Sequence, residues 1–381
     1  GRIAAVRRLL FCLLLSCAGC GRAWREAEPN EHFTQASPLP AGGKVAGTIG
    51  SPGDVDVYRL ALSRDGAVLN LHLGGIRDVD FTLSVQDKDR RELKRYDETG
   101  LGGDEQALDI GLRRGDYYVV VANKNPKSDN PKQEYALTVG LEATDDHELE
   151  PNDRPLAANA LPANSLLRGH YFPAQNLLAE GEDQSEEDWY RVTVEREGLF
   201  ILNVDLSEVP KIDPILEVYD ANAYKVKEVD NGGPGEPESL RHFGVKGPAQ
   251  LTLRLRTKPS RSGNAEVPYQ LLTEMLPYEG KEEFEPNDQR LDATPFERDS
   301  IGGGISPAGD ADWYRVTAPG EGRQILRADL SPLAGMDLQM LVADELGNTL
   351  AVIDNMGKEQ PELLTGLGVG NGTYYLVISE K

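Results

Sequence analysis

Apolar and polar residues alternate along much of the chain with a period of two. Leu69, Leu71 and Leu73 are separated by polar neighbours, as are Phe81, Leu83 and Val85, and then Leu251, Leu253 and Leu255. Successive side chains of an extended segment point to opposite faces, so the pattern is that of half-buried strands. No stretch holds helical spacing as well. The runs Tyr117-Tyr118-Val119-Val120-Val121 and Tyr374-Tyr375-Leu376-Val377-Ile378 are richer in apolar residues, and each follows a glycine, Gly115 or Gly372. They predict central strands behind glycine turns. With 40 glycines and 24 prolines among 381 residues, turns are frequent and long helices scarce.

The strands recur in blocks. Glu28-Pro29-Asn30, Glu150-Pro151-Asn152 and Glu285-Pro286-Asn287 each have an acid two places earlier, at Glu26, Glu148 and Glu283. Downstream stand Asp56-Val57-Tyr58, Asp188-Trp189-Tyr190 and Asp312-Trp313-Tyr314. An Asp-x-x-[Leu/Met]-x-Val-x-Asp pattern then runs over Asp80 to Asp87, Asp213 to Asp220 and Asp337 to Asp344, followed by Asp97, Asp230 and Asp354. Landmarks in one order at nearly fixed offsets mark tandem repeats. The expected organisation is an all-β chain of three antiparallel, jelly-roll-like β-sandwiches at 26–140, 148–274 and 283–381, behind an N-terminal segment at 1–20. A buried aromatic at the Asp-x-Tyr step is expected to supply much of each core. Units 1 and 2 continue to Tyr135-Ala136-Leu137-Thr138-Val139 and Tyr269-Gln270-Leu271-Leu272-Thr273, whereas unit 3 has no such strand before Lys381 and reads as truncated or as having an unpaired sheet edge. Unit 2 carries extra acids, Glu180, Glu182, Asp183, Glu186 and Glu187, expected in a solvated loop.

The Glu-x-Glu-Pro-Asn start, the Gly-Asp-x-Asp-Trp-Tyr step and the Gly-x-Tyr-Tyr strand resemble the bacterial pre-peptidase C-terminal domain, a secreted β-sandwich related to the collagen-binding domains of clostridial collagenases. The likeness covers nearly everything from Glu26 onward and is weaker in unit 2, where Gly247-Pro248-Ala249 replaces the glycine-tyrosine step. The resemblance implies an accessory role beside secreted peptidases, in secretion, localisation or adhesion, and calcium held by the acidic segment before the first strand.

The residues themselves are compatible with that chemistry. In extended chain Glu148, Glu150 and Asn152 share a face, with Asp153 adjacent, and calcium takes 6–8 oxygen ligands. The remaining ligands can come from Asp54 and Asp56 in unit 1, Glu186 and Asp188 in unit 2, and Asp310 and Asp312 in unit 3. The expected calcium sets are therefore Glu26, Glu28, Asn30, Asp54 and Asp56; Glu148, Glu150, Asn152, Asp153 and Asp188; and Glu283, Glu285, Asn287, Asp288, Asp310 and Asp312. The competing reading makes Glu-Pro-Asn a linker turn whose acids face water.

At the N-terminus, Arg7 and Arg8 precede the apolar run Leu9 to Leu15, which is too short to span a membrane and fits an export signal. Leu14-Leu15-Ser16-Cys17-Ala18-Gly19-Cys20 resembles a bacterial lipobox, with Cys20 as the lipidated residue and Cys17 as the alternative. No cysteine follows Cys20, so no disulfide holds the units. The net charge of −23 makes nucleic acid an unfavourable partner and leaves the N-terminal lipid as the only expected membrane attachment. The five histidines are scattered and read as mostly surface residues, and no Gly-x-Ser-x-Gly elbow or cysteine nucleophile follows the lipobox. The sequence thus points to a non-enzymatic envelope lipoprotein that binds an extracellular protein or polysaccharide. The alternative is an accessory segment of an exported hydrolase whose catalytic domain lies elsewhere.

Overall fold

The computed structural model describes residues 24–172, 187–260, 262–307 and 309–381. The lipobox and the acidic stretch through Glu186 lie outside them. The described chain is all-β, with no α-helix and three short 3-10 turns.

In unit 1 two five-stranded sheets face each other. One has the order Trp24–Arg25, Gly43–Gly47, Tyr135–Ala143, Ala67–Leu73, Glu105–Leu112. The other has Ser37–Pro38, Val55–Leu62, Gly115–Asn123, Phe81–Gln86, Glu92–Tyr96. The tyrosine-rich strand Gly115–Asn123 is central, as its apolar composition predicts. Alternate residues of both sheets, among them Tyr58, Leu69, Leu71, Leu83 and Leu137, meet in one core. Pairing is antiparallel apart from short parallel contacts at the edges, such as Ser37–Pro38 beside Tyr58–Arg59.

Unit 2 repeats the plan with longer strands. Asp188–Leu206 and Glu238–Thr257 each run without a break where unit 1 uses two strands, and they pair along most of their length. Gly247-Pro248 falls inside the second of these, which explains the weak motif there: the chain crosses between layers without starting a new strand. In unit 3, Gly372–Glu380 is again central, between Ala311–Ala318 and Leu338–Ala343. A separate pair, Gln324–Leu330 with Glu362–Val369, covers it.

The repeated aspartates shape turns. Asp87, Asp220 and Asp344 each accept hydrogen bonds from the backbone N–H groups two and four residues on, which closes the hairpin after each Asp-x-x-[Leu/Met]-x-Val-x-Asp strand. Asp97, Asp230 and Asp354 pair with Lys124, Lys258 and Lys381 at 2.7, 3.0 and 2.8 Å. These pairs are exposed, so each contributes little. A second family of acids carries no comparable sequence signal. The buried Glu105, Glu238 and Glu362 each accept two successive backbone N–H groups, 98 and 99, 231 and 232, 355 and 356.

The buried Glu217 carries a network of its own. Burial works to raise its pKa, but the Tyr219 hydroxyl at 2.8 Å and the guanidinium groups of Arg254 at 3.0 Å and Arg256 at 3.2 Å outweigh this and hold it at about 2. A depressed folded pKa contributes stability that is complete above the unfolded value, about 4.3, and is lost as pH falls toward 2. Glu217→Gln is therefore expected to lower unit 2 stability by about 2–3 kcal/mol at pH 7 and by much less at pH 2.5, measured by urea unfolding.

Candidate functional site: acidic boxes at the seams

The Glu-x-Glu-Pro-Asn segments form the same structure three times. The first glutamate accepts from the backbone N–H of Thr48, His170 or Gly304 at 2.7, 2.7 and 2.8 Å. Its other oxygen accepts from the hydroxyl of Tyr58, Tyr190 or Tyr314. The second glutamate accepts from the backbone N–H of the asparagine, and the asparagine carbonyl accepts from the residue after the repeated aspartate, Val57, Trp189 or Trp313. All three Glu-Pro bonds are cis. Carboxylate oxygens of Glu26, Glu28 and Asp56 converge within 4.8 Å, as do those of Glu148, Glu150 and Asp188, and of Glu283, Glu285 and Asp312.

A glycine makes room at each box. A Cβ at Gly47, Gly169 or Gly303 would lie within 2.5 Å of the box glutamate and a tyrosine hydroxyl, far closer than real atoms approach. Tyr135 and Tyr269 add hydroxyls from the last strand of their units, donating to Asp56 at 2.6 Å and to Asp188 at 2.8 Å. In the sequence these tyrosines are legible only as strand residues.

The remaining expected ligands divide. Asp54 joins Glu28 and Glu31 in a second cluster in unit 1. Burial, reinforced by Glu150, raises Asp153 to about 6, and burial, reinforced by Asp288 and Glu285, raises Asp310 to about 7. Asn30, Asn152 and Asn287 are all fully buried. Both polar atoms of Asn30, Asp56 Oδ1, Asn287 Oδ1 and Asp312 Oδ1 have no hydrogen-bond partner. Crowding carboxylates away from water raises their pKa values. Burial, reinforced by Glu26, pushes Asp56 up to about 9 despite the Tyr135 hydrogen bond. Burial and Glu283 do the same for Asp312, to about 9, and burial lifts Glu148 and Glu285 to about 7.

The boxes differ in what neutralises them. Lys94 of unit 1, only 3% exposed, reaches Glu150 of unit 2 at 3.2 Å and lies over the Phe172 ring. Lys227 of unit 2 lies 3.8 Å from Glu285 of unit 3 and donates to the Ser306 carbonyl at 3.0 Å. The two lysines hold one register position, opposite Val85 and Val218, and in unit 3 Ala351 stands opposite Val342. Each lies 14 residues after its repeated aspartate, Asp80 or Asp213. That common offset was the available signal, but a lysine in a charged chain does not stand out. The box of unit 1 has no such lysine among the described residues, and its Glu28 remains exposed.

Backbone contacts complete both seams. The Glu150 N–H donates to the Gly111 carbonyl at 2.8 Å, and Glu285 exchanges hydrogen bonds with the His242 carbonyl and the Gly244 N–H. Arg113 reaches across to the Ala157 carbonyl and to Asn159. His170 departs from the surface expectation. It is buried beside the unit 2 box, and burial together with Lys94 lowers its pKa to about 4.

Neither the protein-family models nor the curated proteins contain a match to this chain. Among solved structures it is similar to the pre-peptidase C-terminal domain of a collagenase from Bacillus anthracis, with 13% identity and a TM-score of 0.23, over 31% of this chain and all of that one. A putative secreted protein from Eubacterium rectale matches with 11% identity and a TM-score of 0.19, over 62% and 74%. The PBSX exported protein XepA matches with 10% identity and a TM-score of 0.20, over 62% and 87%.

Proposed function

We propose that the chain is a non-catalytic, lipid-anchored envelope protein whose three sandwiches form a stiff row presenting a surface to an extracellular protein or polysaccharide. The observation that carries this reading is the position of the acidic boxes. Two of them sit at seams between units, each facing a lysine of the preceding unit, which is an arrangement for joining modules. The N-terminal signal pattern and Cys20, or Cys17, support the anchor, which would place unit 1 nearest the membrane.

In this reading the box of unit 1 takes a divalent cation where the other two take lysine. The orphaned Asp56 Oδ1 and Asn30 side chain, beside Glu26, Glu28 and the Glu31–Asp54 cluster, fit the oxygen-rich coordination of calcium. Calcium would supply the positive charge that relieves repulsion among these acids. Saturation to about a hundred times the dissociation constant adds about 2.7 kcal/mol. The expected result is a unit 1 melting transition raised by about 5 °C or more. Because burial holds Asp56 protonated to unusually high pH, its favourable contribution without cation is present in acid and lost as pH rises through about 9. The calcium response should therefore grow from pH 6 to pH 9. Glu28→Gln with Glu31→Gln, both at exposed positions, should remove it. Melting and limited proteolysis that ignore calcium and chelator alike would sink the cation reading.

A further inference from the structure

Lys94 and Glu150 meet in the geometry of two reactants. Lys94 stands on the edge strand Glu92–Tyr96 of unit 1, and Glu150 belongs to the acidic box of unit 2. The Lys94 Nζ lies 3.2 Å from the Glu150 Oε1, and both side chains are 3% exposed. The Phe172 ring caps the amine, with its centroid 2.9 Å from Nζ. The Glu150 backbone is fixed on both sides, its N–H donating to the Gly111 carbonyl at 2.8 Å and its carbonyl accepting from the Tyr117 hydroxyl at 3.3 Å.

The two glutamates of this box are used differently. Both oxygens of Glu148 are engaged by its own unit, Oε1 by the His170 N–H and Oε2 by the hydroxyls of Tyr190 and Tyr269. Glu150 accepts the Asn152 N–H on Oε2 at 3.1 Å and turns Oε1 toward the lysine. One oxygen of its carboxyl is thus polarised by a fixed donor while the other faces an amine in a buried site. A preorganised N–H stabilises the charge that develops on such an oxygen when the attached carbon is attacked. Fixed contact between the two groups also replaces a bimolecular encounter.

We infer that Lys94 and Glu150 condense to an isopeptide crosslink between units 1 and 2. Nζ attacks Cδ of Glu150, the Asn152 N–H holds the charge that develops on Oε2, and the Cδ–Oε1 bond breaks. Of the three protons on the ammonium, one stays on the amide nitrogen and two leave with Oε1 as water. Ammonium and carboxylate become a neutral amide plus water, with no other reactant. Loss of two opposite charges removes the cost of keeping them out of water. The crosslink needs only this seam geometry and neither the anchor nor the calcium reading, and a chain that has not condensed keeps the buried ion pair. The second seam lacks these conditions. Lys227 lies 3.8 Å from Glu285, is 11% exposed and donates to the Ser306 carbonyl at 3.0 Å.

The test keeps the purified full chain folded, then denatures, digests and maps it by mass spectrometry. A branched peptide joining Lys94 to Glu150 is expected, lighter than its two parts by one water, with a yield that rises with time spent folded. No peptide joining Lys227 to Glu285 is expected. In Glu150→Gln the mass lost should change from water to ammonia, because the leaving group changes and the acyl carbon does not. Lys94→Arg keeps the positive charge and should give no branched peptide. Absence of the Lys94–Glu150 peptide after prolonged folded incubation would overturn the inference and leave the ion pair in place. Equal yield in a chain held unfolded in urea, or equal linking at both seams, would overturn it as well, because the seam geometry would then not be its cause.

Discussion

Lys94→Met is expected to destabilise the seam between units 1 and 2 by about 3–5 kcal/mol, the cost of removing one partner from a buried ion pair. Methionine keeps much of the length and apolar body of the lysine, so the change isolates the charge. What remains is a box in which Glu148, Glu150 and Asp188 face one another in a buried site. Such a cluster relieves itself by binding protons, so the loss should be larger at pH 8 than at pH 5. Lys227→Met should show the same sign with a smaller magnitude, because Lys227 lies farther from its glutamate and is 11% exposed. Two-step unfolding in urea, with limited proteolysis at residues 144–150, measures both. A Lys94→Met chain as stable as the parent would mean that the lysine is incidental to the seam.

Gly111→Ala should open the same seam by a different route. The added Cβ would lie 1.8 Å from the Glu148 carbonyl oxygen, a backbone atom that cannot move without breaking the Glu150–Gly111 hydrogen bond. A cost of about 3 kcal/mol is reasonable for overpacking against a fixed neighbour. Gly244 occupies the same register position in unit 2, and its Cβ would lie 2.3 Å from the Phe284 ring, so Gly244→Ala should open the second seam. Gly368 holds that position in unit 3 and has nothing within 4 Å. Gly368→Ala should therefore stay within about 0.5 kcal/mol of the parent, or stabilise slightly, since alanine suits a strand better than glycine. The three substitutions are chemically identical, so a difference among them reports the seams and not strand propensity. Equal effects at all three positions would remove the docking role assigned to these glycines.

Much of this architecture was legible because its signals are local. Period-two runs such as Leu69, Leu71 and Leu73 mark strands without knowledge of their partners, and the repeated Asp87, Asp220 and Asp344 mark hairpins through bonds made within five residues. The acidic boxes were half legible. Glu148, Glu150 and Asp188 stood out by repetition, and the fold brings them together. What neutralises them was hidden, because Lys94 approaches Glu150 from another unit, and only the pairing of Glu92–Tyr96 with Phe81–Gln86 fixes which way its side chain points. Gly111 and Gly303 were hidden for a related reason. Neither has the left-handed backbone that favours glycine, and each is required only by an atom that arrives from a distant part of the chain. Tyr135 and Tyr269 read as apolar strand residues because nothing in a sequence shows that a tyrosine hydroxyl ends beside an aspartate. The buried His170 was missed because the box that covers it is built from another segment.

In the reading proposed above, one acidic box design serves two cations: lysine at the seams and a divalent ion at the N-terminal unit. Calcium titration by calorimetry on the parent chain and on Lys94→Met tests it most directly. One calcium bound per parent chain is expected, lost in the Glu28→Gln, Glu31→Gln variant, with a second site appearing in Lys94→Met once the unit 2 box is vacated. Three equivalent sites in the parent, or no site that depends on Glu28 and Glu31, would contradict it.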